Sequence, residues 1–146
     1  FDHHAVEFEY ADGSRMFSQC RHIPNCWTSV TEHAHGTRGT SNLTSAIIEP
    51  TGGERWRYRG EKENPFQTEH DDLFANIRAG NIPNEGEYGA LSTMTAILGR
   101  MATYSGKVIQ WDEALASEIN LQPKEYAFNA TAPVPAVAIP GVTQVV

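Results

Sequence analysis

Four of the six histidines fall in two short clusters, His3-His4 and His33-Ala34-His35. Imidazoles near Asp2 or Glu32, with Cys20 and Cys26 in the same stretch of chain, are residue types that bind zinc. The spacing argues against it: there is no Cys-x-x-Cys pair and no His-Glu-x-x-His helix. Neighbouring strand residues also point to opposite faces, so at most one of His3 and His4 serves a given site. No metal set is assigned, and that pair is expected to be structural or on the surface. A small metal hydrolase built on the clusters remains an alternative.

The segment Cys20-Arg21-His22-Ile23-Pro24-Asn25-Cys26-Trp27 gathers a guanidinium, an imidazole and an indole around a proline-stiffened loop. Arg21 and His22 could make charged hydrogen bonds to a sugar-like ligand while Trp27 stacks on it. The competing reading is an ordinary hairpin loop with Trp27 in the core. No Gly-x-Ser-x-Gly elbow is present, so no serine triad is signalled. Gly-x-Gly-x-x-Gly and Walker loops are also missing, so nothing in these residues is expected to cradle a pyrophosphate.

The elements that would position these residues change character along the chain. Val6, Phe8 and Tyr10 alternate with Glu7 and Glu9, which predicts a strand with one apolar face. Asp12-Gly13 supplies a hairpin turn with positive φ angles. Further strands are expected over residues 15–22, 27–33, 40–48 and 55–59, with turns at 35–39 and 50–53. From Asn64 the period becomes helical: Asn64 caps, Pro65 suits the first helical position, Gln67 suits a capping box, and Gly80 ends the helix. Phe66, His70, Leu73, Phe74 and Ile77 form its apolar stripe.

A longer helix is predicted over residues 85–105, burying Leu91, Met94, Ile97, Leu98 and Met101 and ending at Gly106. Its small residues Gly89, Ala90, Thr93, Ala96 and Gly99 let another backbone approach closely. A short strand over 107–111 and a helical turn capped by Asp112 follow. Pro123, Pro133, Pro135 and Pro140 then keep the tail extended. The expected fold is α+β in two layers, a mostly antiparallel open-faced sheet with two main helices on one face. Residues 1–122 form the domain and 123–146 the proline-rich tail.

A chain of 146 residues is sized for one core. Eleven Lys and Arg against 18 Asp and Glu, a net charge of −7, argue against nucleic acid as a partner. No apolar run approaches the roughly 20 residues of a membrane span. Two cysteines leave the compartment open between cytoplasm and export. Because the first residue is Phe1 and the chain starts directly in a strand, an upstream part is expected.

Residues 69–80 (Glu-His-Asp-Asp-Leu-Phe-Ala-Asn-Ile-Arg-Ala-Gly), Asn84-Glu85, and the run from Tyr88 to Gly106 closely resemble the helical part of the C-terminal domain of Gfo/Idh/MocA oxidoreductases. Gly36-Thr37-Arg38-Gly39 looks like that family's Gly-Thr-Lys-Gly turn, and Trp111-Asp112-Glu113-Ala114-Leu115 like its closing strand and turn. Residues 139–143 resemble the tail of one bacterial subgroup.

The resemblance implies an N-terminal Rossmann domain that binds NAD or NADP, with this chain shaping the pocket for a sugar, cyclitol or related polyol. It implies homo-oligomers formed through the open sheet face. On that basis Arg21, His22, Trp27, His33 and His35 are the candidate substrate-binding residues. Neither a cofactor site nor a catalytic residue is assigned. Glu61-Lys62 is followed by Glu63 rather than the proline of the family's catalytic motif, and residues 1–30 hold no Asp-x-x-x-His spacing. Those groups are expected upstream, leaving the chain inactive alone. The alternatives are a stand-alone oligomeric carbohydrate-binding module and a glycoside-cleaving relative that uses NAD transiently.

Overall fold

The alternation at the start of the chain forms β1 (His3–Glu9), with His4, Val6 and Phe8 half-buried and the residues between them exposed. A computed structural model describes residues 1–146, and β1 pairs antiparallel there with β2 (Arg15–Arg21). At the turn, Tyr10 N–H donates to Ser14 O (2.9 Å) and Gly13 N–H to Tyr10 O (2.9 Å). Within Asp12-Gly13 only Gly13 has a positive φ, 80°. The connection is therefore a three-residue loop closed by a left-handed glycine, not a turn with two such residues.

The Asp12 carboxylate accepts from the Ser14 hydroxyl (2.7 Å) and backbone N–H (2.9 Å), which together hold it below the usual 3.8. A carboxyl depressed in the folded hairpin stabilises it above 3.8. That contribution is lost only as pH falls below 3.8 and through the depressed value.

The chain divides into two units. One comprises Phe1–Pro24 with Asn84–Val146, the other Asn25–Pro83. In the first, α2 (Gly86–Ser105) packs on β1, and α3 (Trp111–Leu115) packs on α2. Met101, Ala114 and Val145 form the buried core, with Met94, Leu98, Tyr104 and Ile109 against it. Leu91 and Ile97, expected inside, are 40% and 37% exposed. The seam instead follows Met94, Leu98, Met101 and Ser105, the 3.6-residue repeat that stays over β1 and the tail.

Among the small residues of α2, Gly99 explains the close approach. A Cβ there would lie 3.0 Å from the tip of the Phe8 ring and 3.7 Å from Val6. Nothing lies within 4 Å of Gly89.

Residues 107–110 form no strand, and α3 is capped by Gln110 rather than Asp112. Gln110 and Glu113 make the reciprocal capping box, with Gln110 N–H donating to Glu113 Oε2 (3.1 Å). After Leu115 no helix or strand recurs. The tail returns to α2: Gly141 N–H donates to Ser105 O (2.6 Å), Ser117 Oγ to Val145 O (3.3 Å), and Val145 is 7% exposed. Gly106, left-handed at φ 66°, lies against Pro140, where a Cβ would come within 2.9 Å.

The second unit holds β3 (His33–Gly36), β4 (Gly39–Asn42), β5 (Ile47–Pro50) and β6 (Trp56–Arg57) as an antiparallel sheet in chain order. Several expectations are corrected here. The strands form two sheets of two and four rather than one. Residues 27–32 are not a strand. His33 and His35 lie on β3, and only Thr37 and Arg38 make the turn. The apolar run 40–48 is broken by a turn at 43–46, where Asn42 Oδ1 accepts from Ser45 N–H (2.9 Å), Ala46 N–H donates to Leu43 O (3.0 Å), and Ala46 takes a φ of 51°. Asn and Ser side chains compete with the ladder in this way.

Helix α1 (Pro65–Arg78) begins as expected, with Asn64 Oδ1 accepting from Phe66 N–H (3.0 Å) and Pro65 in the first turn. Gln67 makes no capping box but donates to Asp71 (2.8 Å). The helix ends in a Schellman pair, Gly80 N–H to Ile77 O (3.1 Å) and Asn81 N–H to Asn76 O (2.9 Å), with Gly80 at φ 75°. Its stripe is uncovered. Phe66, Leu73, Phe74 and Ile77 are 74%, 41%, 50% and 55% exposed, and no strand of its own unit packs on it.

The two helical glycines should respond oppositely to substitution. Gly99→Leu should overpack the β1 contact and cost about 1–3 kcal/mol, lowering Tm by roughly 3–10 °C. Gly89→Ala should raise stability by up to about 1 kcal/mol. Thermal unfolding by circular dichroism measures both, and a Gly99→Leu protein as stable as the parent would mean that α2 is not seated on β1 there.

Candidate functional site

Arg21 closes β2 opposite His3, on the outward face it shares with Gln19, Phe17 and Arg15. His22 extends the ladder by one bond, its N–H donating to Asp2 O (2.7 Å). A turn over 24–26 follows, with Asn25 at φ 62°. The boundary between the units falls between Pro24 and Asn25, so this segment joins two units and is not a hairpin loop. Arg21 and His22 are therefore held by one unit and Trp27, His33 and His35 by the other. Trp27 is 80% exposed, which removes the reading of a core tryptophan. Cys20 and Cys26 are exposed free thiols.

His33 and His35 lie two apart on β3, so both project from one face of the sheet. Directly opposed residues of antiparallel strands share a face. The register therefore adds Thr40 and Asn42 from β4, Ile47 and Glu49 from β5, and Arg57 from β6 to the histidine face. Arg55, just before β6, pairs with Glu49 at 3.3 Å. The opposite face carries Ala34, Ser41, Ile48 and Trp56, and is mostly small or apolar. A shallow hollow of about 400 Å³ on that face is lined by Ala34, Gly36, Ser41, Ile48 and Pro50, with Arg38 at its rim.

Sequence reading missed Asn42 and Arg57 as partners of the histidines. The available signal was strand parity, but it needs the turn at 43–46 to count correctly from β4 to β5.

The remaining histidines have local partners. His4 Nδ1 lies 2.8 Å from Thr103 Oγ1 on α2. The Thr103 hydroxyl has a single proton and sits 3.0 Å from Arg100 O and 3.2 Å from Gly99 O. It therefore accepts from His4, which fixes the tautomer with hydrogen on Nδ1. His4 also stacks on Tyr104 at 6.0 Å, and Arg100 caps the far side of that ring at 5.6 Å. This is an imidazole that holds a strand to a helix. His3 Nδ1 lies 2.7 Å from Asp2, and that bond is the main reason the Asp2 carboxyl is lowered. His70 Nδ1 lies 2.7 Å from Phe66 O within α1. No three His, Cys, Asp or Glu side chains gather where a metal ion would sit.

The arrangement offers hydrogen bonding and charge to a ligand, rather than a nucleophile set against its base. Comparison with family models, curated proteins and solved structures yields no match to the chain.

Because Trp27 is mostly exposed, Trp27→Ala should move the unfolding free energy by less than about 0.5 kcal/mol. A buried tryptophan would cost about 3–5 kcal/mol. Urea unfolding followed by far-ultraviolet circular dichroism separates the two, and a loss of several kcal/mol would return Trp27 to the core.

Proposed function

We propose that the chain is the substrate-facing and oligomerising part of a Gfo/Idh/MocA-type oxidoreductase that transfers hydride between NAD or NADP and a carbon of a sugar, cyclitol or related polyol. The observation that carries this reading is the bare apolar stripe of α1: Phe66, Phe74 and Ile77 are 74%, 50% and 55% exposed, and no strand of their own unit packs on them. An apolar helix face of this kind is one that meets a partner.

Residues 69–106, which carry the resemblance, run in order through α1, its Schellman turn and α2, and this agrees with the reading. In it α2 lies on the β1–β2 hairpin as a second layer, and the mostly apolar face of Ala34, Ile48 and Trp56 meets another copy. A nucleotide-binding domain elsewhere in the polypeptide holds the dinucleotide and supplies the proton-transferring group. Arg21 and His22 orient hydroxyl or carboxylate groups of the polyol.

A second reading, a stand-alone carbohydrate-binding module, is favoured by three exposed rings: Trp27 at 80%, Trp56 at 52% and Tyr58 at 51%. Nicotinamide absorbance distinguishes the two.

Full-length protein supplied with polyols should reduce NAD or NADP. Arg21→Ala and His22→Ala should each lower kcat/KM by about 1–3 kcal/mol of transition-state binding while leaving cofactor affinity alone. Wild-type kinetics in both variants would remove these residues from the site, and micromolar binding of a dinucleotide by residues 1–146 alone would overturn the division of labour.

Light scattering should find a dimer or larger assembly. Trp56→Glu, which places a charge on the apolar sheet face, should shift it toward monomer. A strict monomer at high micromolar concentration counts against the oligomerising role.

A further inference from the structure

The chain is acidic overall, at −7, yet one face of its four-stranded sheet has no unpaired carboxylate. Across that face the register sets His33, Asn42, Ile47 and Arg57 in one row and His35, Thr40 and Glu49 in the next. Glu49 is the only acid in the two rows, and Arg55 neutralises it at 3.3 Å. Arg57 makes no ion pair, whereas Arg55 pairs with Glu49 and Arg15 with Glu7 and Glu9. His33, His35, Thr40 and Arg57 are exposed, and Asn42 and Ile47 are half-buried.

We propose that this face is a binding platform for a polyol bearing a carboxylate, with Arg57 as the residue that selects the charge. The inference takes from the reading above only the class of ligand, a polyol, and its residues belong to a different unit from Arg21 and His22. Asn42 and Arg57 are two strand spacings apart, about 10 Å, with Ile47 between them. Ile47 offers an apolar floor for the C–H face of a single pyranose ring. On one side of it stand an amide, two imidazoles and the Thr40 hydroxyl, groups that both give and accept hydrogen bonds and so suit hydroxyls. On the other stands a guanidinium, whose planar fork matches two carboxylate oxygens.

A phosphate, with more charge to neutralise, would call for a second cation beside Arg57. Arg55, two residues before it, is already engaged by Glu49. Salt screening over about 8 Å leaves such a local field intact against the acidity of the rest of the chain.

The test is calorimetric titration of full-length protein with D-glucuronate, with D-glucose and glucose 6-phosphate as comparators. Glucuronate should bind about 5–10-fold tighter than glucose, the worth of one charge-assisted bidentate contact. Arg57→Gln should erase that preference by bringing glucuronate affinity down to that of glucose, and Arg57→Lys should retain only part of it. Asn42→Ala should weaken glucose and glucuronate alike. Circular dichroism melts of the Arg57 variants confirm that the sheet is intact.

The proposal is overturned if glucuronate binds no tighter than glucose, if the preference survives Arg57→Gln, or if glucose 6-phosphate binds tighter than glucuronate. Turnover is read separately. Glucuronate preference without nicotinamide reduction sinks the oxidoreductase reading and leaves this platform standing, whereas polyol-linked reduction without glucuronate preference does the reverse.

Discussion

The first unit depends on the approach of the α2 backbone to β1 at Gly99. Only a residue without a side chain lets the helix come close enough for Phe8 and Val6 to cover it. Once α2 is seated there, its 3.6-residue repeat fixes what the next turn meets. Thr103 is brought within 2.8 Å of His4, and Tyr104 comes under the His4 ring. Met101 and Ser105 face the other way, toward α3 and the returning tail. The hydrogen bond and the stack make His4 a strut, which explains why one of two adjacent histidines is tied to a helix while the other bonds only its exposed neighbour Asp2.

The second unit follows a different logic, because its sheet has no helix on either face. Register alone sorts its chemistry. Odd-numbered β3 residues meet polar partners on β4 and guanidinium at β6, and even-numbered ones meet small and apolar residues. One face is therefore polar and the other small and apolar, on a sheet whose strands are four, four, four and two residues long. The surface of the sheet is thus divided by kind.

Much of this was legible residue by residue where the governing interaction is local. The Asn64 cap, the proline beside it, the left-handed glycines at 80 and 106, and the alternation of Val6 and Phe8 depend only on near neighbours in sequence, and each was read correctly. What failed required knowledge of distant partners. Leu91 and Ile97 look like core residues on a helical wheel, but β1 and the tail select the face one position round. Residues 40–48 look like one strand until Asn42 turns its side chain onto Ser45. The stripe of α1 is apolar without a cover in its own unit, since hydrophobicity says what a residue would gain from burial and not what stands opposite it. Of the candidate site, His33 and His35 were named on the resemblance, while Asn42 and Arg57 emerge only from pairing.

The first unit is also discontinuous, with residues 25–83 lying in the chain between its hairpin and its helix. Phe8 cannot meet Gly99 until everything between them has been made, and that closure costs entropy that grows with the length of free chain between the two ends. The inserted unit consists of hairpins between neighbouring strands, contacts that form quickly because they are short in sequence. Once it has folded, it shortens the loop that the first unit must close. The short-range pairings of the inserted sheet are therefore expected to form ahead of the contact of α2 with β1, which spans the longer separation. An isomerisation or misregister in the small sheet would delay a core with which it shares no strand.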